Sequence, residues 1–170
     1  MRYRFSALTA VLAALMLCIP SAHAADQVIT GEGSATAPLA RITQSVIVEI
    51  TMSGDGAVQA KPVLSNGGRT FPWVDTTGPW TITVKPLSSA PRVTRGTTSM
   101  VISLKKATRG SVTKKFTYRG QGDFKVFPIS RKGVSGFASI EESGPYSGKV
   151  SLPYGTKYIA ITASGPWTMK

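Results

Sequence analysis

The sequence predicts an all-β fold, a largely antiparallel β-sandwich of immunoglobulin-like or jelly-roll-like type, and three observations carry that prediction. Apolar residues recur at every second position; clusters of Gly, Pro, Ser and Asn separate these runs; and nothing after residue 24 keeps a helical period. Alternation buries one face of each segment and leaves the other wet. Short turns between consecutive segments, in place of crossover helices, make the pairing antiparallel. Many short strands at turn spacing then close into a sandwich.

Taken in order, the first element is residues 1–24. Arg2 and Arg4 precede an apolar run over residues 7–20, and Ser21-Ala22-His23-Ala24 follows it. That succession is a secretory signal with cleavage expected after Ala24. The run is short for a membrane span and no stop-transfer charge follows, so the processed chain is expected to have no transmembrane span. Leu17 stands where a lipidated signal ending at Cys18 would need a small residue, which excludes a lipoprotein reading. The short positive start fits a bacterial exported protein, with the periplasm, the cell surface or the medium as its destination. Processing leaves 146 of the 170 residues, read as one domain over 25–170.

Cys18 and His23 are the only Cys and His. Once they leave with the signal, the chain has neither thiol nor imidazole. Cys and His nucleophiles, His bases, Ser-His-Asp triads, zinc-finger sites and disulfides are thereby excluded. A hydrophobic core alone must hold the domain, which is reasonable for one cooperative unit of this size.

Residues 25–40 read as a mobile arm or irregular edge, because 31–38 is a run of small residues without period. Over residues 41–52, Ile42, Val46, Val48, Ile50 and Met52 share one parity, and Arg41, Thr43, Ser45, Glu49 and Thr51 the other. The same alternation returns at Ile82 and Val84, at Met100, Ile102 and Leu104, at Val112, Phe116 and Tyr118, at Phe124 and Val126, at Val150 and Leu152, and at Ile159 and Ile161. At least seven strands follow. Turns are marked by Gly54-Asp55-Gly56, Asn66-Gly67-Gly68, Gly78-Pro79, Arg109-Gly110, Gly120-Gln121-Gly122, Lys132-Gly133 and Gly144-Pro145.

An internal repeat links the two halves. Gly78-Pro79-Trp80-Thr81 returns as Gly165-Pro166-Trp167-Thr168, and Thr51-x-x-Gly54-x-Gly56 as Thr117-x-x-Gly120-x-Gly122. The two motifs lie 24 residues apart in the first half and 45 in the second, so the second copy holds an extra hairpin's worth of chain. Two related sheet units, or a duplicated motif, inside one sandwich are expected. The last third, with Gly120-x-Gly122-x-Phe124-x-Val126, Ser143-Gly144-x-Tyr146-x-Gly148 and Ile159-x-Ile161-x-Ala163-x-Gly165-Pro166-Trp167, resembles small exported bacterial β-sandwich modules. The resemblance implies the fold and no chemistry. The first half lacks the Gly-x-Tyr-x-Gly segment.

Candidate chemistry is sparse. Gly144-Pro145-Tyr146-Ser147-Gly148-Lys149 has three residues between its glycines and Val150 after its Lys, so it cannot be a phosphate loop and reads as a Gly-Pro turn. Gly133-Val134-Ser135-Gly136 is one residue short of a nucleophile elbow and has no His to serve it. A Ser-Lys dyad has no isolated Lys to build on. Glu141 and Glu142 point to opposite faces of a strand and would each need a distant partner such as Asp123 or Asp75 to form a carboxylate pair. The expectation is a non-enzymatic protein without cofactor or metal.

Charge is the informative feature. Residues 85–132 carry 12 bases and one acid, Asp123, whereas the rest of the processed chain carries 6 bases and 7 acids, for a processed net charge of +10. Lys105, Lys106, Arg109, Lys114, Lys115 and Arg119 surround an expected hairpin with its turn near Arg109-Gly110, which would gather these cations at one end of the sandwich. An anionic partner is implied: an acidic glycan, lipopolysaccharide or an anionic membrane surface, but not a specific nucleic acid, since base-stacking aromatics are not interleaved. Trp80 and Trp167 are expected in the core, and Trp73, Tyr146, Tyr154 and Tyr158 as a flat aromatic platform for sugar rings. The expected function is therefore an exported binding or surface-interaction protein. Two alternatives remain: a surface-fibre subunit completed by strand donation, with residues 41–52 as the donated strand, and an enzyme with a Ser-Lys or carboxylate pair.

Overall fold

The computed structural model describes residues 27–37, 39, 45–52, 58–63, 73–74, 76–130, 133–134 and 138–170, with backbone only at 58–63, 73 and 133–134. The secretory signal, Ile42, the Gly54-Asp55-Gly56 and Asn66-Gly67-Gly68 turns, the Trp73 side chain, Asp75 and Ser135 of the elbow-like motif lie outside the described residues. Among the described residues, fifteen strands run in the order β1 (Val28–Glu32), β2 (Ala35–Thr36), β3 (Val46–Met52), β4 (Val58–Val63), β5 (Trp73–Val74), β6 (Pro79–Pro86), β7 (Arg95–Gly96), β8 (Met100–Ser103), β9 (Val112–Tyr118), β10 (Asp123–Ser130), β11 (Gly133–Val134), β12 (Ile140–Ser143), β13 (Tyr146–Leu152), β14 (Thr156–Ala163) and β15 (Trp167–Met169). Every strand pair is antiparallel. The all-β, antiparallel, sandwich-like architecture expected from the alternation is what the chain forms.

In the first half, β1-β6-β3-β4 make one sheet and β2-β5 a two-stranded ribbon. Val46, Val48 and Ile50 of β3 and Trp80, Ile82 and Val84 of β6 pack with Ala37, Leu39 and Val74 into a first core. In the second half, the sheet β13-β9-β15-β7 faces the sheet β11-β10-β14-β8, with β12 beside β10. Phe116, Tyr118, Leu152, Trp167 and Met169 meet Ile102, Phe124, Val126, Ile159 and Ile161 between them. Tyr118 stacks on Phe124, their ring centroids 4.7 Å apart. Each such side chain, fully buried, contributes about 1.5–3 kcal/mol. A third cluster joins the halves: Ile47 of β3 with Leu87, Ala90, Val101, Ile129 and Ala160. Ile47 has the parity that the sequence reading assigned to solvent; it is buried because β3 packs on both faces.

Of the two readings of residues 25–40, a mobile arm or an irregular edge, the described residues follow the second: Val28–Glu32 pairs along its full length with β6 as the edge strand of its sheet, and Ala35–Thr36 pairs with β5. Its missing apolar period reflects the edge position, where the backbone ladder and one neighbouring Trp hold the strand. Residues 46–52, within the segment 41–52 that the fibre-subunit alternative names as the donated strand, are the inner strand between β6 and β4 of their own sheet.

The two halves share registers at the repeated motifs. Thr51 pairs with Thr81 and Met52 with Trp80, just as Thr117 pairs with Thr168 and Tyr118 with Trp167. Each Trp lies opposite an edge-strand glycine, Gly31 or Gly96. Each indole N–H donates to the carbonyl two residues beyond that glycine, Trp80 to Gly33 at 2.9 Å and Trp167 to Thr98 at 3.0 Å. The second half is longer through β10, β11 and β12, which have no counterpart between β3 and β4.

Candidate functional site

The basic region does not form a hairpin. β8 pairs with β14 in one sheet and β9 with β13 and β15 in the other, so residues 104–111 cross between sheets. The crossing is clamped to the turn between β13 and β14. Thr108 N–H donates to Thr156 O at 3.0 Å, Gly155 N–H to Thr108 O at 2.9 Å, and the Thr108 hydroxyl to Pro153 O at 2.6 Å while accepting from Thr156 N–H at 2.9 Å. From β14, Lys157 Nζ donates to Leu104 O at 2.5 Å and lies 5.9 Å from the centre of the Tyr158 ring. Gly155 takes a positive φ of 80°, which this tight turn requires.

That clamp fixes where the cations go. Lys105, Lys106 and Arg109 line a surface cavity of about 650 Å³ together with Lys157 and Tyr154. Tyr154 sits at the tip of the turn with 76% of its surface exposed. Lys115 and Arg119 line a second depression of about 350 Å³ with Lys170, Thr117 and Thr168, on the outer face of the β13-β9-β15-β7 sheet. Lys114 joins neither: it is half-buried on the strand parity of Phe116 and Tyr118, opposite Val150. Adjacent strand residues point to opposite faces, so Lys114 and Lys115 cannot share a cluster. The six candidate cations are therefore split into three at the crossing, two on the sheet face and one turned inward.

Two cations that sequence reasoning did not single out complete the arrangement. Lys149 lies directly opposite Lys115 on β13, and Lys170 exchanges both backbone hydrogen bonds with Lys115 from beyond β15, at 3.0 and 2.9 Å. Three lysines thus form one row across three strands. Only the strand registers reveal it, because the three are distant in sequence. Like charges set directly opposite each other oppose folding, so the row is held together by the apolar side of the same strands.

The acids of the second half stand elsewhere. Asp123, Glu141 and Glu142 lie on β10 and β12 of the other sheet, where Lys125 Nζ is 2.8 Å from Glu141 and 3.8 Å from Asp123. The hydrogen bond and charge of Glu141, with a lesser addition from Asp123, hold the half-buried Lys125 ammonium above its usual value of 10.5 against the opposing desolvation. Glu141 and Glu142 are both exposed, and Glu141 is matched by Lys125.

The aromatic platform does not assemble. Tyr146 packs inward with its ring 5.9 Å from Phe124; Tyr158 is half-buried beside the cluster that joins the halves; of the three tyrosines, Tyr154 alone stands in solvent. Strand parity sends Tyr146 and Tyr158 to different layers. Trp73 has its backbone in β5, paired with Thr36. Trp80 and Trp167 are buried, as their Gly-Pro positions imply. No group of three metal-binding side chains occurs among the described residues. Comparison with protein-family models, with curated proteins and with solved structures returns no match.

Proposed function

We propose that this is an exported, non-enzymatic binding protein that docks an anionic polymer or an anionic envelope surface, and that residues 104–111 with the β13–β14 turn form the primary contact. One observation carries the reading: Lys105, Lys106, Arg109 and Lys157 surround a single cavity to which no Asp or Glu contributes among the described residues. Converging like charges raise the local concentration of anions and speed their capture. Exposed Tyr154 at the rim offers a flat ring and a hydroxyl to a sugar or headgroup. The signal-like start of the sequence supports an extracytoplasmic location, and the likeness of the last third to small exported bacterial modules agrees with it. No helix among the described residues is long and apolar enough to cross a membrane.

The test is salt elution from immobilised heparin. The variant K105Q/K106Q/R109Q is expected to elute at clearly lower salt than the wild type, because each lost cation lowers the number of counterions released on binding. Lys157 is left unchanged, since its ammonium also holds the Leu104 carbonyl. Elution of the two proteins at the same salt would remove the crossing as the contact.

A further inference from the structure

We infer that the outer face of the β13-β9-β15-β7 sheet extends the cavity into one continuous track for an extended linear acidic polysaccharide; this rests on the polyanion reading above and specifies its ligand. The track follows β9. From Arg109 in the crossing, alternate positions along β9 and its flanks, each exposed or half-buried, run Ser111, Thr113, Lys115, Thr117, Arg119, a succession of hydroxyls and cations. Neighbouring strands repeat the same chemistry row by row. Ser151 lies opposite Thr113 and is hydrogen-bonded to Ser111; Lys149 and Lys170 flank Lys115; Ser147 and Thr168 flank Thr117, with Arg95 beyond Thr168; Arg119 N–H donates to Pro166 O at 2.9 Å.

Strand geometry sets the scale. Cations within a row stand about 5 Å apart and successive rows about 7 Å apart, and the stretch from Ser111 to Arg119 spans about 25 Å. A small anion fills the cavity alone, whereas only a chain reaches from the cavity to Arg119. No Asp or Glu occurs in residues 92–119 or 144–170, the segments that build both the crossing and this sheet. The opposite sheet cannot play the same role: its outer face is occupied by Ile47, Leu87 and Ala90 of the joining cluster.

The surface chemistry selects among polyanions. None of the outward positions on the track is aromatic, so a single-stranded nucleic acid finds no stacking platform there. Pro166 is the one apolar residue lining the depression, and Tyr154 is the single large apolar side chain exposed in this half among the described residues, which is little for sustained insertion into a membrane interface. Hydroxyl donors and acceptors between the cations match a polymer that itself alternates hydroxyl and acidic groups.

Binding of size-fractionated heparin, from short to long oligosaccharides, tests the inference with two variants: K105Q/K106Q/R109Q at the cavity and K115Q/K149Q/K170Q on the track. Wild-type affinity is expected to rise with length until the chain spans about 25 Å. The track variant should lose about tenfold for long chains and little for the shortest, flattening the length dependence, while K115R/K149R/K170R retains it. The cavity variant should weaken all lengths alike. A track variant that keeps the wild-type ratio of long to short affinity, or a wild type that does not bind heparin, overturns the track. Tighter binding of single-stranded DNA or of anionic lipid vesicles than of long heparin at equal ionic strength overturns the choice of polysaccharide. If the cavity variant binds as wild type while the track variant does not, the primary contact proposed above fails and the track stands.

Discussion

Gly96 shows how much a single hydrogen atom decides in this fold. A Cβ built there would lie 2.7 Å from Cζ2 and 2.9 Å from Cε2 of Trp167, an indole already fixed by its hydrogen bond to Thr98 and 1% exposed. Gly31 stands in the same relation to Trp80. In both halves an aromatic ring from the neighbouring strand covers an edge glycine and so stabilises a position that glycine alone would weaken. Gly96→Ala should therefore destabilise the protein by about 1–3 kcal/mol, through displacement of the ring rather than through any change in backbone preference. Urea unfolding measures this, and Trp fluorescence should report the moved indole. A midpoint equal to that of the wild type would mean that the ring yields freely.

Among the elements, the crossing over residues 104–111 is the one on which the proposed binding depends. Thr108 is buried and its hydroxyl bridges Pro153 O and Thr156 N–H, so one side chain ties two loops together. Thr108→Val keeps the shape and removes that bridge. The expected loss is about 1 kcal/mol, small because Pro153 O still accepts from the Thr156 hydroxyl. This corresponds to a fall of about 2–4 °C in thermal midpoint. The variant should also elute from heparin at lower salt than the wild type although no charge has changed. Unaltered elution would show that the cations act without regard to where the crossing holds them.

At the scale of the whole molecule, two apolar cores, each with its own Trp, are connected by the cluster around Ile47. Wild-type calorimetry is expected to give a single transition, because that cluster buries apolar side chains from both halves. Ile47→Ala removes its only member from the first sheet among the described residues and should cost about 2–5 kcal/mol. The transition should broaden or split as the halves unfold more independently. Two resolved transitions already present in the wild type would show that the joining cluster couples nothing. The same architecture gives the second half its polarity. One sheet presents Lys and Arg to solvent, and the acids sit on the other.

The sequence alone determined strand identity and facing: alternation at 46–52, 112–118 and 159–161 placed the buried side chains, and Gly-Pro-Trp placed both indoles in cores. It also located the repeated motifs, whose threonine registers agree, and placed the net excess of positive charge in residues 85–132. Partner choice was decided only by tertiary structure. Whether β8 folds back on β9 or crosses to another sheet depends on the competing fit of β13, β14 and β15, which are remote in the chain; that choice dispersed the expected hairpin cluster and brought Lys149 and Lys170 to Lys115. Likewise Ile47 and Glu49 share one parity, and packing of the second half against β3 buried the first. The physical reason is common to these cases. Side-chain period is a local property of an extended backbone, but the neighbour across each hydrogen-bond ladder is fixed by burial summed over the whole chain.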